Sequence, residues 1–429
     1  MVGCLQARGV LLLPVLLVAA AVCWMPFDSS VAGEVTLEED DAGAFHINTS
    51  DPMSQPVFLN GLNVHDTLSM LMSTVSAQQS LNAAQEGVID AQRSAISAQQ
   101  RAIDRVRGEV CTPSATTIGQ LSSTTNKWLG GVLANNGFIY AAPYYASSVL
   151  IIDPSTNTID TTTISDLGTD SGKWAGGVRA DNGLIYMFSS RRETMLIIDP
   201  STNTVDTSSI HSLGSGEKKW FSGVVASNGL IFGIPYFATF VLIIDPETNT
   251  ADTTTLSGLM SQRYKWFEGV QADNGLIYCI PVSASSVLII NPDTLAMDLT
   301  TISGLGTHVK WRGGVLAHNG LIYTIPTYSA TTLVINTSTN VTDVLVVVDA
   351  MSSSKWIGGV LAPNGNVIGI PYRSSSVLIF DPSNNTTDTT TVNDLGGDNK
   401  WWDGVLAQNG LIYGIPRDAE SVLVIDPGC

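Results

Sequence analysis

From residue 111 to the end of the chain, apolar and polar positions follow one order seven times over. Each copy runs approximately K-W-x-G-G-V-L-A-x-N-G-L-I-Y-G-I-P-Y-x-S-S-S-V-L-I-I-D-P-x-T-N-T-x-D-T-T-T-I-S-x-L-G, and its Lys-Trp pair returns at Trp128, Trp174, Trp220, Trp266, Trp311, Trp356 and Trp401. The intervals are 46, 46, 46, 45, 45 and 45 residues, and each holds four short runs rich in β-branched and aromatic residues. Runs of that kind read as strands, and four strands in about 46 residues make one propeller blade. The pattern predicts an all-β, seven-bladed β-propeller over residues 111–429.

Turn residues fix the order within a blade. Asn-Gly follows the first strand in every copy, from Asn136-Gly137 to Asn409-Gly410. The pair suits a type I′ turn, whose two central residues both need positive φ, and so predicts a tight hairpin. Asp-Pro closes the third strand at Asp153, Asp199, Asp245, Asp381 and Asp426, because proline cannot continue a ladder and aspartate caps turns. In the first strand a glycine recurs at Gly131, Gly177, Gly223, Gly269, Gly314, Gly359 and Gly404, which places that strand against the crowded axis. The Thr-rich strand is then the outer edge, where polar β-branched residues blunt further pairing.

The chain ends predict how the ring closes. Cys429 follows Asp426 by three residues, the register of Thr156 after Asp153, and Cys111 precedes Trp128 by 17, the register of Asn157 before Trp174. These are consecutive repeat positions, so the chain begins and stops inside one turn of one blade. The strand around Thr116-Thr117-Ile118 is expected to complete the blade built by the C terminus, with a Cys111–Cys429 disulfide where the other blades have a peptide bond. Cys279 takes the place held by Ala141, Gly233 and Gly369 in other copies, and reads as a buried free thiol.

Ahead of the propeller the period changes to seven. Leu68, Val75, Asn82, Ile89, Ile96, Ile103 and Val110 form one seam of residues 67–110, and Leu71, Gln78, Gln85, Gln92, Gln99 and Val106 the other. Six heptads without proline fit an α-helical coiled-coil stalk. Four seam glutamines point to a polar-cored homo-oligomer such as a trimer; a lone amphipathic helix, weakened at Gly87, is the alternative. Residues 33–66, with the acidic run Glu38-Glu39-Asp40-Asp41, read as a linker.

The apolar run from Val10 to Cys23 and the small residues Ser30-Val31-Ala32 read as a signal peptide over residues 1–32. An uncleaved signal anchor through residues 10–27, giving a membrane-held protein, is the alternative. Either way the rest of the chain is expected outside the cytosol, secreted or at the cell surface. Sequons at Asn48, Asn336, Asn340, Asn384 and Asn385 suit exposed glycosylated loops there. The chain carries 38 Asp plus Glu against 20 Lys plus Arg, a net charge of -18, which argues against DNA or RNA as a partner. With 44% hydrophobic residues it is too apolar for a disordered polypeptide.

The V-L-I-I-D-P-x-T-N-T segment, as in Val149 to Thr158 and Val241 to Thr250, resembles the YVTN-type repeats of surface-layer and other secreted β-propellers. That resemblance covers residues 111–429 and implies a secreted propeller serving a structural or binding role, with some enzyme relatives.

Candidate chemistry follows the repeats. Lys127, Lys173, Lys219, Lys265, Lys310, Lys355 and Lys400 each precede the repeat tryptophan. They predict either a ring of ammonium groups binding an anion at a channel mouth, or stems packed on tryptophan with charges paired to loop carboxylates. Asp160, Asp206, Asp252, Asp298, Asp343 and Asp388 open the outer strands; each turn offers too few oxygens for calcium, and Asx capping is the better account, so no metal site is expected. His211, His308 and His318 occupy unrelated repeat positions, and no linear catalytic motif or cofactor site appears. Loops between the second and third strands carry Tyr144, Tyr145, Arg191, Arg192, Tyr236, Phe237, Tyr328, Tyr372, Arg373 and Arg417, residue types that supply much of the energy at binding surfaces. The expectation is a protein that recognises an extracellular protein or glycan through this loop face. A lyase- or lactonase-type enzyme on the same face and a structural coat or matrix protein are the alternatives.

Overall fold

The structure, a computed structural model, describes residues 35–39, 45–49, 57–59, 62–347 and 354–429. The expected signal peptide or anchor lies outside the described residues, and no described helix is long and apolar enough to cross a membrane. The chain divides into two compact units, residues 1–102 and 103–429.

In the N-terminal part, strand Val35–Glu39 pairs antiparallel with Phe45–Thr49. One helix then runs from Val64 to Val110. Asn63 caps it, its Oδ1 accepting the His65 and Asp66 N–H groups at 3.0 and 3.4 Å, and Asp66 faces the positive end of the helix dipole. Leu68, Leu71, Val75, Ile89 and Ile96, all from the heptad seams, are exposed on this single chain.

Seven antiparallel four-stranded sheets make up the head. Blades I to VII open with Trp128–Leu133, Trp174–Arg179, Trp220–Val225, Trp266–Gln271, Trp311–Leu316, Trp356–Leu361 and Trp401–Leu406. These first strands touch their counterparts in both neighbours, and that of blade VII meets that of blade I. Blade VII takes its outer strand, Ser114–Ile118, from the start of the head, paired from Val422↔Ile118 to Asp426↔Ser114. Cys111 and Cys429 are joined, with Cα atoms 5.1 Å apart. The predicted seven-bladed propeller with disulfide-closed ends is therefore what the chain forms.

Each core layer lies between two blades. Val132, Tyr140, Val149 and Ile151 of blade I, for example, pack on Trp174, Ile185, Met187 and Leu196 of blade II. Close approach explains the recurring glycine, since a Cβ on Gly223 would stand 2.1 Å from Phe188 Cζ of the preceding blade. Cys279 is fully buried and free, and burial pushes its thiol up.

The Asn-Gly hairpins differ from the expected type. Gly137 has φ +86° while Asn136 is not in the left-handed region, and the Gly137 N–H reaches the Ala134 carbonyl at 3.1 Å as Ala134 N–H bonds Phe138 O at 2.9 Å. This is a type I turn followed by a left-handed glycine, the longer hairpin loop. The asparagine is selected by its side chain. Asn136 Oδ1 accepts the Phe138 N–H at 3.0 Å, and its Nδ2 donates to Pro200 O of the next blade at 2.9 Å. Equivalent links run from Asn182 to Pro246, Asn228 to Pro292, Asn274 to Thr337, Asn364 to Pro427 and Asn409 to Pro154.

Candidate functional site

The lysines are held by backbone. Lys219 Nζ donates to the carbonyls of Ser190, Arg192 and Gly216 at 3.3, 2.8 and 3.0 Å, and Lys310 Nζ to those of Val282, Ala284, Gly306 and His308 at 3.0–3.1 Å. Lys127, Lys173, Lys265 and Lys400 make the same kind of bond, and these six are buried. Burial draws Lys173, Lys219, Lys265, Lys310 and Lys400 down to about 8. The Nζ of Lys219, Lys310, Lys355 and Lys400 lies 5.6–5.7 Å from the ring centroid of the adjoining tryptophan. The charges of the six buried lysines are met by carbonyls rather than by carboxylates or an anion ring. An ammonium's three N–H groups gather the loop before its own blade and the second-to-third loop of the preceding one.

That stitching shapes the face on which both loop sets emerge, and the expected loop residues divide there into two groups. Tyr144, Tyr236 and Tyr372 are buried in one apolar cluster with Leu129, Phe221, Phe267 and Ile357, against which Phe237 and Trp402 pack. Phe221 stands at its centre, 4.9 Å from Tyr236, 5.9 Å from Phe267 and 6.2 Å from Trp402 between ring centroids. Tyr145 stacks on Tyr144 at 5.1 Å, and with Tyr264 and Tyr328 it is exposed. Arg191 pairs with Glu217 at 2.9 Å and Arg192 with Asp170. Arg417 pairs with Asp418 at 2.9 Å while its Cζ lies 5.4 Å from the Tyr372 ring and 5.6 Å from Trp402. Arg373 Cζ is 5.7 Å from the Tyr372 ring.

Below the aromatics, an axial cavity of about 170 Å³ is lined by Phe221, Ser222, Phe267, Glu268, Trp402, Asp403 and glycines of the first strands. The sequence reading missed these residues. Their signal was present: in the Trp-x-Gly-Gly motif the first glycine is replaced by Ser222, Glu268 and Asp403 in three copies. Gly130, Gly176, Gly313 and Gly358 adopt positive φ there, whereas the three replacements do not and carry side chains to the axis. Each reaches the next blade. Ser222 Oγ donates to Phe267 O at 2.7 Å, Glu268 Oε2 accepts the Gly314 N–H at 3.2 Å, and the Asp403 carboxylate accepts from Gly131 and, at 2.8 Å, from Gly404. Burial raises both carboxyls, and the charge of Asp403 raises Glu268 further.

The outer-strand aspartates act as caps. Asp206 Oδ1 accepts the Ser208 and Ser209 N–H groups at 2.7 and 3.1 Å, and the Ser209 hydroxyl, followed by the Ser208 contacts, holds its carboxyl at about 2 against the pull of burial. In Asp160 burial pulls upward, and the Thr163 and Thr162 bonds outweigh it to give about 2. Asp252, Asp298 and Asp388 are capped alike. Asp343 instead lies inside the longer outer strand Thr342–Val346 and accepts the Val344 N–H at 2.8 Å. His211, His308 and His318 are exposed, away from the axial cavity lining. Among the sequons, Asn384 and Asn385 are exposed, Asn336 and Asn340 are half-buried with Asn340 Oδ1 accepting from Tyr278 Oη at 2.8 Å, and the Asn48 side chain lies outside the described residues.

No known protein family matches the chain, and no curated protein matches it. Solved structures do. Virginiamycin B lyase from Staphylococcus aureus, in an inactive form with quinupristin, superposes with a TM-score of 0.59 at 9% identity, over 73% of this chain and 99% of that one. A streptogramin B lyase gives 0.57 at 10% identity, over 73% and 97%. The extracellular domain of a hybrid two component system from B. thetaiotaomicron gives 0.55 at 9% identity, over 72% of this chain and 42% of that chain. At such identities the likeness is one of fold, and the chain shares the architecture of these propellers.

Proposed function

We propose that this is a secreted or cell-surface recognition protein whose propeller holds an extracellular glycan on its loop face. The observation that carries the reading is the aromatic hub over the axis, rimmed by exposed Tyr145, Tyr264 and Tyr328 and by arginines. Rigid aromatic rings offer apolar area with a polar edge at low entropic cost, which suits the CH faces and hydroxyls of sugars. The disulfide and the likeness to an extracellular domain support a place outside the cytosol. Because Tyr144, Tyr236 and Tyr372 are buried, the test belongs on the rim. Replacing Tyr145, Tyr264 and Tyr328 together by alanine is expected to abolish glycan-array binding while leaving the Tm within about 2 °C. Unchanged array binding would sink the reading.

A second reading is an enzyme on the same face, favoured by the Glu268 and Asp403 carboxyls that line the axial cavity and by the likeness to lyases in fold. Two buried carboxyls with raised proton affinity suit acid–base work. Turnover of a cyclic ester or uronate substrate that disappears in Glu268→Gln would favour it.

A further inference from the structure

We infer that the loop face above blades V to VII carries an anion subsite, formed by Arg312, Arg373 and Arg417 around Tyr372, which takes the negatively charged group of an acidic saccharide. The inference rests on the glycan reading above and narrows it to a ligand class.

Three guanidinium groups gather where the rest of the protein is acidic. Arg417 and Arg373 lie over the Tyr372 ring, and Arg312 lies 5.9 Å from the Tyr328 ring with its Nη2 3.4 Å from Tyr236 Oη. The Tyr372 hydroxyl, raised chiefly by burial, senses all three arginines in the opposite direction. Of the three, Arg417 alone forms an ion pair among the described residues, with Asp418, which also accepts the Asn126 N–H at 2.6 Å.

A chain of net charge -18 has carboxylates to spare, and elsewhere on this face it uses them, pairing Arg191 with Glu217 and Arg192 with Asp170. Arg312 and Arg373 have no ion pair among the described residues. Arg373 Nε donates to the neutral Asn399 Oδ1 at 2.8 Å, and the Arg312 Nε is buried without a partner among the described residues. Arg373 is exposed and engages only its Nε among the described residues, so its two terminal nitrogens are available to grip a carboxylate or sulfate through parallel bonds. Neighbouring Tyr328 is exposed and can stack on the sugar ring that bears the charge.

The test is calorimetric titration of the full chain with tetragalacturonate, its fully methyl-esterified form, a chondroitin sulfate hexasaccharide and hexaglutamate. The expected result is binding of an acidic saccharide that weakens with added salt. The ester is expected to bind at least about tenfold more weakly, and Arg312→Gln and Arg373→Gln each to cost about tenfold in the acid's affinity. Arg373 is exposed, so its variant tests the site even if Arg312→Gln does not fold. Equal affinity for acid and ester, unchanged affinity in Arg373→Gln, or preference for hexaglutamate would overturn the anion subsite. Array binding to neutral glycans without affinity for either acidic saccharide would overturn it while leaving the broader glycan reading intact.

Discussion

At the scale of single residues, the sharpest departures from the repeat are the most informative positions. Four blades place a glycine in the left-handed region where the first strand bulges, and three place Ser222, Glu268 or Asp403 there with ordinary backbone. A carboxyl whose folded pKa lies above its unfolded value binds protons better folded than unfolded. For Glu268 that contribution is fully present below its ordinary 4.5 and is lost as pH rises toward about 8. Glu268→Gln keeps an oxygen for the Gly314 N–H and removes the charge. The variant is expected to melt about 2 °C or more above the wild type near the upper end of that window and to show a flatter decline of Tm with pH. Parallel declines in the two proteins, followed by calorimetry, would mean that folding does not raise the proton affinity of Glu268. None of this was legible in the sequence, although the substitutions were. Ser222, Glu268 and Asp403 are separated by 46 and 135 residues, and only closure of the ring brings them to one axis.

At the scale of elements, the repeat pattern specified strands well and turns less well. Alternating β-branched residues, Asp-Pro stops and glycines at the axis located the first three strands of a blade, because each reflects a local steric rule, but the outer strand expected in the Thr-rich run lies ahead of it, at Thr158–Asp160 in blade I, and ends at the aspartate whose side chain caps the following threonines. Asn-Gly was read as a type I′ pair, whereas the loop formed is the longer one, and in six of the seven copies the asparagine amide also makes a contact outside the hairpin, as Asn136 does with Pro200 O one blade away. The lysine cages were hidden for the same reason, since their acceptors are carbonyls, which carry no signature in the residue letters.

The helix Val64–Val110 presents a different case, a seven-residue pattern that only the oligomeric state can test. Its seam residues Leu68, Leu71, Val75, Ile89 and Ile96 are exposed on a single chain, a strip that identical helices would cover in a coiled coil. Sedimentation of the full chain is expected to give a trimer, and Ile89→Asn combined with Ile96→Asn a monomer. A monomeric wild type would leave the helix as a solvated spacer.

At the scale of the whole molecule, closure was the most legible feature, because two cysteines at adjacent repeat positions leave room for one arrangement. The bridge spans a sequence separation of 318, which corresponds to about 5 kcal/mol in the chain-entropy account. Replacing Cys111 and Cys429 by serine is expected to lower the free energy of unfolding in guanidinium by about that amount. A loss below about 1 kcal/mol would show that the five-residue pairing of Ser114–Ile118 and the asparagine links between blades close the ring unaided. The position of the bridge also has a mechanical effect. Tension applied through residue 110 meets the covalent link at Cys111 before it reaches the outer strand of blade VII, so that strand cannot be peeled away from its leading end. Load is shared at once between the start of the head and the strand Val422–Asp426, and the one sheet assembled from two distant segments is guarded against pulling from that side.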